Sequence, residues 1–359
     1  MQREITSRVP LLNEKGQLCN PGWAKYPIWE YNRETIPAEL RDTRLREWDY
    51  FLVSNEHYGF SISMSNRCGK GFMTVMVMDY DGQSDINKTS VTDNPPEMPR
   101  YAEGDIHVRT HEASADLCRL PGRNTLDVRF AKYDGENDLE VHFDLQVPEC
   151  DSMLIATPWP KDEGEECFYY NGKTNCMPAQ GYVKLGEKHL KFSYETDMAV
   201  LDFGRGIWTN ENVWYWGSAS GKVDGVPFGW NIGYGFGDLS YATENMLFYN
   251  GVCHKLGVID SFGIPSDENG NAVCTVGHDW HIFTKDENGN PDGRYDVIFT
   301  PKYDRYSYGP KDANGTPVKP CSEQDQVFGY FNGKAVLDDG KVIELKNFWG
   351  FAEFVRNHW

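Results

Sequence analysis

The sequence predicts a nearly all-β protein with two antiparallel, barrel-like halves, each a β-barrel or sandwich. Three observations lead to this prediction. Aromatic residues make up 14% of the 359 residues, with 11 Trp, 20 Tyr and 19 Phe, and such side chains suit a half-buried pleated sheet. The 35 Gly and 19 Pro residues provide the turns that many short strands require. The chain is also longer than a typical single core, which favours two domains.

We expect an extended N-terminal arm over residues 1–40, a first barrel-like domain over 41–195 and a second over 196–359. The arm is interrupted by four prolines, and its aromatic residues would attach it to the body of the protein. These aromatic residues are Trp23, Tyr26, Trp29 and Tyr31.

Alternating apolar runs separated by turn clusters predict the strands of the first domain. These strands cover 48–53, 59–64, 72–78, 106–110, 125–133, 139–147 and 188–201, with a break in the last near Asp197. Residues 79–104 and 158–188 are polar or rich in turn residues and are predicted as loops. Glu47 and Asp49 are predicted to be exposed at the end of a strand.

The second domain shows the same pattern of short apolar runs separated by turn clusters. Its predicted strands cover 207–219, 228–237, 242–249, 252–260, 280–284, 295–299, 326–337 and 342–345. Asn250-Gly251 between two apolar runs predicts a tight hairpin. Only residues 350–359 are predicted to form a helix, which is short. Eight strands of this length would close into a barrel that holds one small ligand.

Composition excludes several classes of partner. The formal charge is 35 − 54 = −19, which disfavours nucleic acid and anionic membrane surfaces. No run of 18 apolar residues occurs, so no membrane span is expected. The nine cysteines are scattered and no secretion signal is evident, which indicates reduced thiols and a cytoplasmic location. The oligomeric state stays open.

No cofactor and no metal is expected. The glycines of Gly233-x-Gly235-x-Gly237 precede no predicted helix, so a bound phosphate would meet no helix N-terminus. His278 and His281 would lie on opposite faces of a strand, so they are not expected to hold one metal ion.

The candidate site lies in the densest aromatic segment, residues 208–255. Strand alternation places Trp214, Trp216 and Ser218 on one face. In the next strand Asn231 is the one polar side chain on a face that otherwise carries glycines at 229, 233, 235 and 237. Such a face needs a large neighbouring side chain or a ligand to fill the missing volume. Glu244 then falls in an otherwise apolar row, where a carboxylate is costly unless it is paired or functional.

We assign Glu244 as acid or base and Asn231 as an orienting hydrogen-bond donor, with Trp214 and Trp216 as walls that stabilise a developing cation. Further predicted ligand-binding residues are Ser218, Asp238, Asn245 and His254. Lys255 is another candidate, but His254 and Lys255 point to opposite faces, so at most one belongs to the site. The alternative is purely structural: a charge-paired glutamate beside a crossing of sharply bent strands.

The chain resembles the bacterial DUF2804 family of unknown function. The resemblance rests on W-x-W-G-S-A-S-G, G-x-N-x-G-x-G-F-G-D-x-S-x-A-T-E-N and H-K-L in the second half, on R-x-x-E-W-D-Y at 44–50, on G-F-A-E at 350–353, and on the opening run at 9–24. It implies an architecture similar to the two-barrel, lipocalin-like proteins of the hydroxyneurosporene synthase and AttH group. A likeness of fold carries little weight for function.

Three functions are compatible with these residues. The first is a cofactor-free hydratase (lyase), isomerase or cyclase that acts on an apolar small molecule in an aromatic pocket. The second is a non-catalytic, lipocalin-like carrier of such a molecule. The third is a carbohydrate-active or carbohydrate-binding protein, because tryptophan-rich faces with scattered carboxylates also suit sugars.

Overall fold

The computed structural model describes residues 2–101, 103–147, 149–159, 164–268, 273, 276–313, 316–319 and 321–358. It confirms the predicted fold class, with 60% of the residues in strands and 3% in helices. One large antiparallel sheet forms a nearly closed barrel and another a half-barrel. The chain divides into a first unit, Arg3–Trp208, and a second unit, Thr209–Trp359 with Met1–Gln2. The division therefore lies later in the chain than the predicted boundary at 195/196.

The first unit begins with short elements of the arm and continues with long strands. Its described elements are β1 (Val9–Pro10), β2 (Gly22–Ala24), β3 (Trp29–Glu30), a 3-10 helix (Arg33–Thr35), α1 (Ala38–Thr43), β4 (Arg46–Ser54), β5 (Tyr58–Arg67), β6 (Lys70–Asp79), β7 (Ser84–Thr92), β8 (Ile106–Arg109), β9 (Ala113–Leu120), β10 (Arg123–Phe130), β11 (Leu139–Gln146), β12 (Met153–Pro158), β13 (Phe168–Leu185), β14 (Lys188–Phe192) and β15 (Met198–Ile207). Its main sheet has the order β7-β6-β5-β4-β15-β13-β11-β10-β9-β8.

Two of these strands lie in segments predicted as loops. Strand β7 is the last strand on its side of the sheet, and Ser90 is the only one of its nine residues that is buried. An edge strand of this kind can be polar. Strand β13 is 18 residues long and pairs with β11, β12, β14 and β15. It bends at a bulge between Thr174 and Met177, where Cys176 has φ +58°. Pairing with four neighbours stabilises β13 despite its polar, turn-rich sequence.

The arm is attached to the first unit as its aromatic residues predicted. Trp23 in β2 pairs with Ile155 in β12, and Trp29 and Tyr31 are buried. Tyr26 is the exception, since 57% of its surface is exposed. Three of the four aromatic residues that were expected to attach the arm are therefore buried against the first unit.

A buried ion cluster lies in the first unit, and the prediction that Glu47 and Asp49 are exposed is wrong. Their exposed fractions are 2% and 0%, because they lie on the same inward face of β4 as Phe51 and Val53 of the core. The Arg205 guanidinium lies 2.7 Å from Asp49 Oδ1 and 3.9 Å from Glu47 Oε1. Tyr31 and Arg33 of the arm donate to Glu47. The cluster therefore joins the arm to the strands.

The second unit contains the remaining described strands: β16 (Glu211–Val223), β17 (Val226–Tyr234), β18 (Met246–Tyr249), β19 (Val252–Lys255), β20 (Trp280–Lys285), β21 (Pro291–Tyr308), β22 (Cys321–Val336) and β23 (Val342–His358). Their order is β19-β18-β17-β16-β23-β22-β21-β20, all antiparallel. Asn250 and Gly251 have φ +50° and +82° between β18 and β19, which confirms the predicted hairpin.

The predicted helix at 350–359 is wrong, because the described part of this segment belongs to strand β23. Phe351 and Val355 point to one side of the sheet, while Ala352 and Phe354 belong to the aromatic core on the other side. Both faces are buried, so the segment shows no alternation of apolar and polar residues. A short apolar run of this kind does not distinguish a strand from a helix by its periodicity.

No helix in the described ranges is long and apolar enough to cross a membrane.

Candidate functional site

The sheet of the second unit has two different faces. One face packs the aromatic core, which includes Trp230 and Phe354. The other face, called here the polar face, is defined by Trp214, Trp216, Ser218, Asn231, Gln324, Gln326 and Glu353. The register places Trp216 opposite Gly233 and Glu353, and Ser218 opposite Asn231. Apart from Trp214 and Gln324, which are half-buried, the residues of the polar face are buried, so their polar groups need partners.

A chain of hydrogen bonds fixes the orientation of Glu244. The Trp216 indole donates to Asn231 Oδ1 at 2.6 Å. An indole nitrogen only donates, so the Asn231 amide must turn its NH₂ group away from it. That NH₂ group donates to Glu244 Oε2 at 2.9 Å and to the Glu244 carbonyl at 3.0 Å. Both amide hydrogens of Asn231 are therefore used to hold Glu244, which makes Asn231 a positioning residue for the carboxylate.

Gly233 provides the space that the Glu244 carboxyl group occupies. A Cβ atom at Gly233 would lie 2.2 Å from Glu244 Oε1, a separation that forces the carboxyl group to move. Gly235 and Gly237, expected on the same strand face, lie beyond the end of β17 with φ +91° and +78°. Glu244 itself precedes β18, and 9% of its surface is exposed. A side chain of the protein thus fills the volume at Gly233.

Lys255 lies on the same side of the sheet as Asn231, because both flank Met246 in the register. Its ammonium group donates to Thr243 Oγ1 at 2.8 Å, to the Asn245 carbonyl at 3.0 Å and to the Leu256 carbonyl at 3.2 Å. Burial lowers the pKa of Lys255 to about 7, although the negative charge of Glu244 acts in the opposite direction. Lys255 therefore holds the segment that carries Glu244.

Lys255 should make the stability of the protein depend on pH. Its pKa is about 7 in the folded protein and 10.5 in a model compound, so the unfolded chain binds more protons between these values. The free energy of unfolding is then expected to rise as the pH increases from about 7 to about 10, and this rise should be smaller in Lys255→Met. Urea unfolding across this range measures it. A Lys334→Met variant, which removes an exposed lysine, should keep the slope of the wild type.

A second buried carboxylate on the polar face belongs to Glu353, which the sequence interpretation missed. Its Oε1 accepts from the Trp214 indole at 3.0 Å, and its Oε2 accepts from the Gln324 and Gln326 amides, each at 3.0 Å. Arg305 donates to Gln324 Oε1 at 2.7 Å. The sequence does contain a sign of this carboxylate, because Glu353 interrupts the apolar run 348–355 and Gln324 and Gln326 alternate along one strand. The helix predicted for residues 350–359 obscured this pattern.

The side chains of four of the predicted ligand-binding residues make other contacts and take no part in the hydrogen bonds that hold Glu244 and Glu353. Ser218 donates to the Trp230 carbonyl at 3.1 Å. Asn245 accepts from the Gly233 amide and donates to the Gly257 carbonyl, so it links two backbone segments. Asp238 accepts from Ser240 in an exposed turn. His254 lies in register with Leu247 of the aromatic core, and its Nδ1 is 3.1 Å from Asp338 Oδ2.

The arrangement brings together Trp214, Trp216, Asn231 and Glu244 of the predicted site, and adds Lys255 and Glu353. The two indole N–H groups are used on Asn231 and Glu353, so the tryptophan rings offer apolar faces. Two oriented carboxyl groups beside aromatic rings can exchange protons with an apolar molecule. A group of three or more acidic, His or Cys side chains that could hold a metal ion was not found in the described ranges.

Comparisons with known proteins identify the family of the chain. The family model described as "Domain of unknown function (DUF2804)" matches residues 2–359. A crystal structure described as AttH from Nitrosomonas europaea is 12% identical with a TM-score of 0.49, and the alignment covers 90% of this chain and 95% of that one. Kievitone hydratase from Nectria haematococca is 9% identical with a TM-score of 0.45, covering 88% and 89%. The structure of CghA is 9% identical with a TM-score of 0.44, covering 88% of each chain. No curated protein sequence matches this chain significantly.

Proposed function

Because the chain belongs to the DUF2804 family, whose description names no activity, we propose a function from the site itself. The second unit binds an apolar small molecule against Trp214 and Trp216 and catalyses a cofactor-free acid–base reaction on it. The reaction class is hydration, dehydration or isomerisation. Glu244 is the acid or base.

The observation that carries this proposal is the fixed orientation of the Glu244 carboxyl group. Trp216 orients Asn231, Asn231 orients Glu244, and Gly233 leaves the space that the carboxyl group needs. A general acid or base is effective only when it is held in position before the substrate binds.

Isotope exchange distinguishes catalysis from transport. Native and denaturing mass spectrometry of the freshly purified protein are compared first, and any released compound is extracted. The compound is then incubated with the protein in heavy-oxygen water and in deuterium oxide. A hydratase is expected to introduce heavy oxygen, and an isomerase is expected to introduce deuterium at carbon.

A released compound that gains neither isotope would contradict catalysis and favour the lipocalin-like carrier. The matched control is Glu344→Gln, which removes an exposed glutamate of β23 and should exchange as fast as the wild type. Protein that retains no compound is tested with polyenes and oligosaccharides by tryptophan fluorescence. A response to oligosaccharides alone would contradict the apolar ligand and favour carbohydrate binding.

A further inference from the structure

A second buried polar region lies in the first unit, on the side of β4, β12, β13 and β15 that faces away from the core residues Phe51 and Val53. Its centre is Asn171 in β13, which is fully buried. The register aligns Asn171 with Ile155 on one side and with Gly204 and then Trp48 on the other. Gly204 has no side chain, and the Trp48 ring lies over it.

The orientation of the Asn171 amide is determined by its neighbours. Its Nδ2 donates to Asp202 Oδ1 at 2.7 Å and to the Phe203 carbonyl at 2.6 Å. A flipped amide would place its oxygen against these two acceptors, which is unfavourable. Asn171 Oδ1 therefore points away from them, and it has no hydrogen-bond partner within the described ranges. A buried acceptor without a donor is costly.

Thr157 adds a second group of the same kind. It is fully buried in β12, in register with Tyr169, and its hydroxyl group also has no partner among the described residues. Asn171 and Thr157 are diagonal neighbours on adjacent strands, which places their Cα atoms about 7–8 Å apart. One small molecule can reach both groups.

Charge and ring contacts around Asn171 restrict the chemistry of a ligand. Lys173 and Asp202 form a buried ion pair at 2.8 Å, so the region carries one charge of each sign beside Asn171. Trp48 donates to Asp202 Oδ2 at 3.3 Å and stacks with Tyr169 at a centroid distance of 6.2 Å. Trp48 is partly exposed. Two aromatic rings next to hydrogen-bonding groups suit a flat or ring-shaped molecule.

We propose that this region of the first unit binds a neutral ring compound that carries hydroxyl groups. One hydroxyl group donates to Asn171 Oδ1 and a second interacts with the Thr157 hydroxyl, while the ring packs against Trp48. Hydroxyl groups can bind both unpartnered groups, because a hydroxyl group both donates and accepts hydrogen bonds. Phenols and sugars share this chemistry. The proposal is independent of the function proposed for the second unit.

Thr157→Val is the sharpest variant, because valine keeps the shape of threonine and removes only the unpartnered hydroxyl group. Asn171 is less suitable, since its amide also holds Asp202 and the Phe203 carbonyl. The matched control is Ser65→Ala. The Ser65 hydroxyl is likewise buried without a partner in the described ranges, but Ser65 lies three strands from Asn171, about 14 Å away.

Two probes, catechol and methyl glucoside, each carry at least two hydroxyl groups on a ring. They are titrated separately into the full chain and followed by ligand-observed NMR. We expect one of them to bind, about tenfold more weakly to Thr157→Val and equally well to the wild type and Ser65→Ala. The probe that binds distinguishes a phenolic ligand from a sugar. Binding of neither probe, or equal binding to all three proteins, would overturn the proposal. Ordered water on Asn171 Oδ1 and Thr157 Oγ1 in a crystal grown with the probes would also overturn it.

Discussion

Replacing Arg205 by leucine is expected to lower the free energy of unfolding by about 3–5 kcal/mol, because it breaks the buried ion pair with Asp49. Arg119 then remains as the partner of Asp49, and Arg33 remains as the partner of Glu47. Arg205 is fully buried and contacts Asp49 at 2.7 Å. It also donates to the Trp48, Pro99 and Gly204 carbonyls. The carboxylates raise the pKa of this guanidinium despite its burial. Urea denaturation of Arg205→Leu measures the loss.

Arg123→Leu is the matched control for this prediction. Arg123 forms a similar pair with Asp144 at 2.6 Å, but half of its side chain is exposed, so its loss is expected to cost at most about 1 kcal/mol. Equal losses for Arg205→Leu and Arg123→Leu would contradict the view that the ion cluster holds the first unit together.

Glu244→Gln is expected to reduce isotope exchange by about 10²–10⁴-fold, the contribution typical of a general acid or base. Glutamine keeps the shape of the side chain and can still accept from Asn231, so the unfolding midpoint should change little. The measurement is the initial rate of label incorporation into the extracted compound, together with a thermal melt of the variant. A variant that unfolds instead would support the structural interpretation of Glu244.

Gly233→Ala tests whether the position of the carboxyl group matters apart from its presence. The added Cβ would meet Glu244 Oε1 at 2.2 Å and the Tyr215 carbonyl at 2.8 Å, so the carboxyl group must be displaced. We expect the exchange rate to fall while Glu244 stays ionisable. Wild-type exchange in both Glu244→Gln and Gly233→Ala would exclude Glu244 as the acid or base. A modest change in affinity alone would indicate a carrier.

The fold class could be predicted because strands with one buried face alternate clearly, as β10 and β11 do. Strand β13 could not, because Asn171-Gly-Lys-Thr-Asn175 resembles a loop until its four neighbours are known. Pairing between distant segments overrides local propensity in such cases. The prediction for residues 348–355 was wrong for the opposite reason. Both faces of this part of the strand are buried, so its periodicity carried no information.

The candidate site could be predicted in part from strand alternation. It placed Trp214 and Trp216 on one face of their strand, singled out Asn231 on the next strand, and marked Glu244 as an unusual carboxyl group. Glu353 lies far from them in sequence and joins them only because β23 pairs with β16. The hydrogen bonds from Trp216 to Asn231 and from Ser218 to the Trp230 carbonyl depend on the register between β16 and β17. Sequence alone could therefore name candidate side chains but not their roles.

The strand order also determines when each sheet can be completed during synthesis. Strand β15 joins β4 to β13, so the first sheet remains in two pieces until Ile207 has left the ribosome. In the second sheet, β23 lies between β16 and β22, and both keep an unpaired edge until β23 has been made. Unpaired edges promote association between chains. A nascent chain arrested before β23 should therefore depend more on chaperones than one arrested just after Trp208.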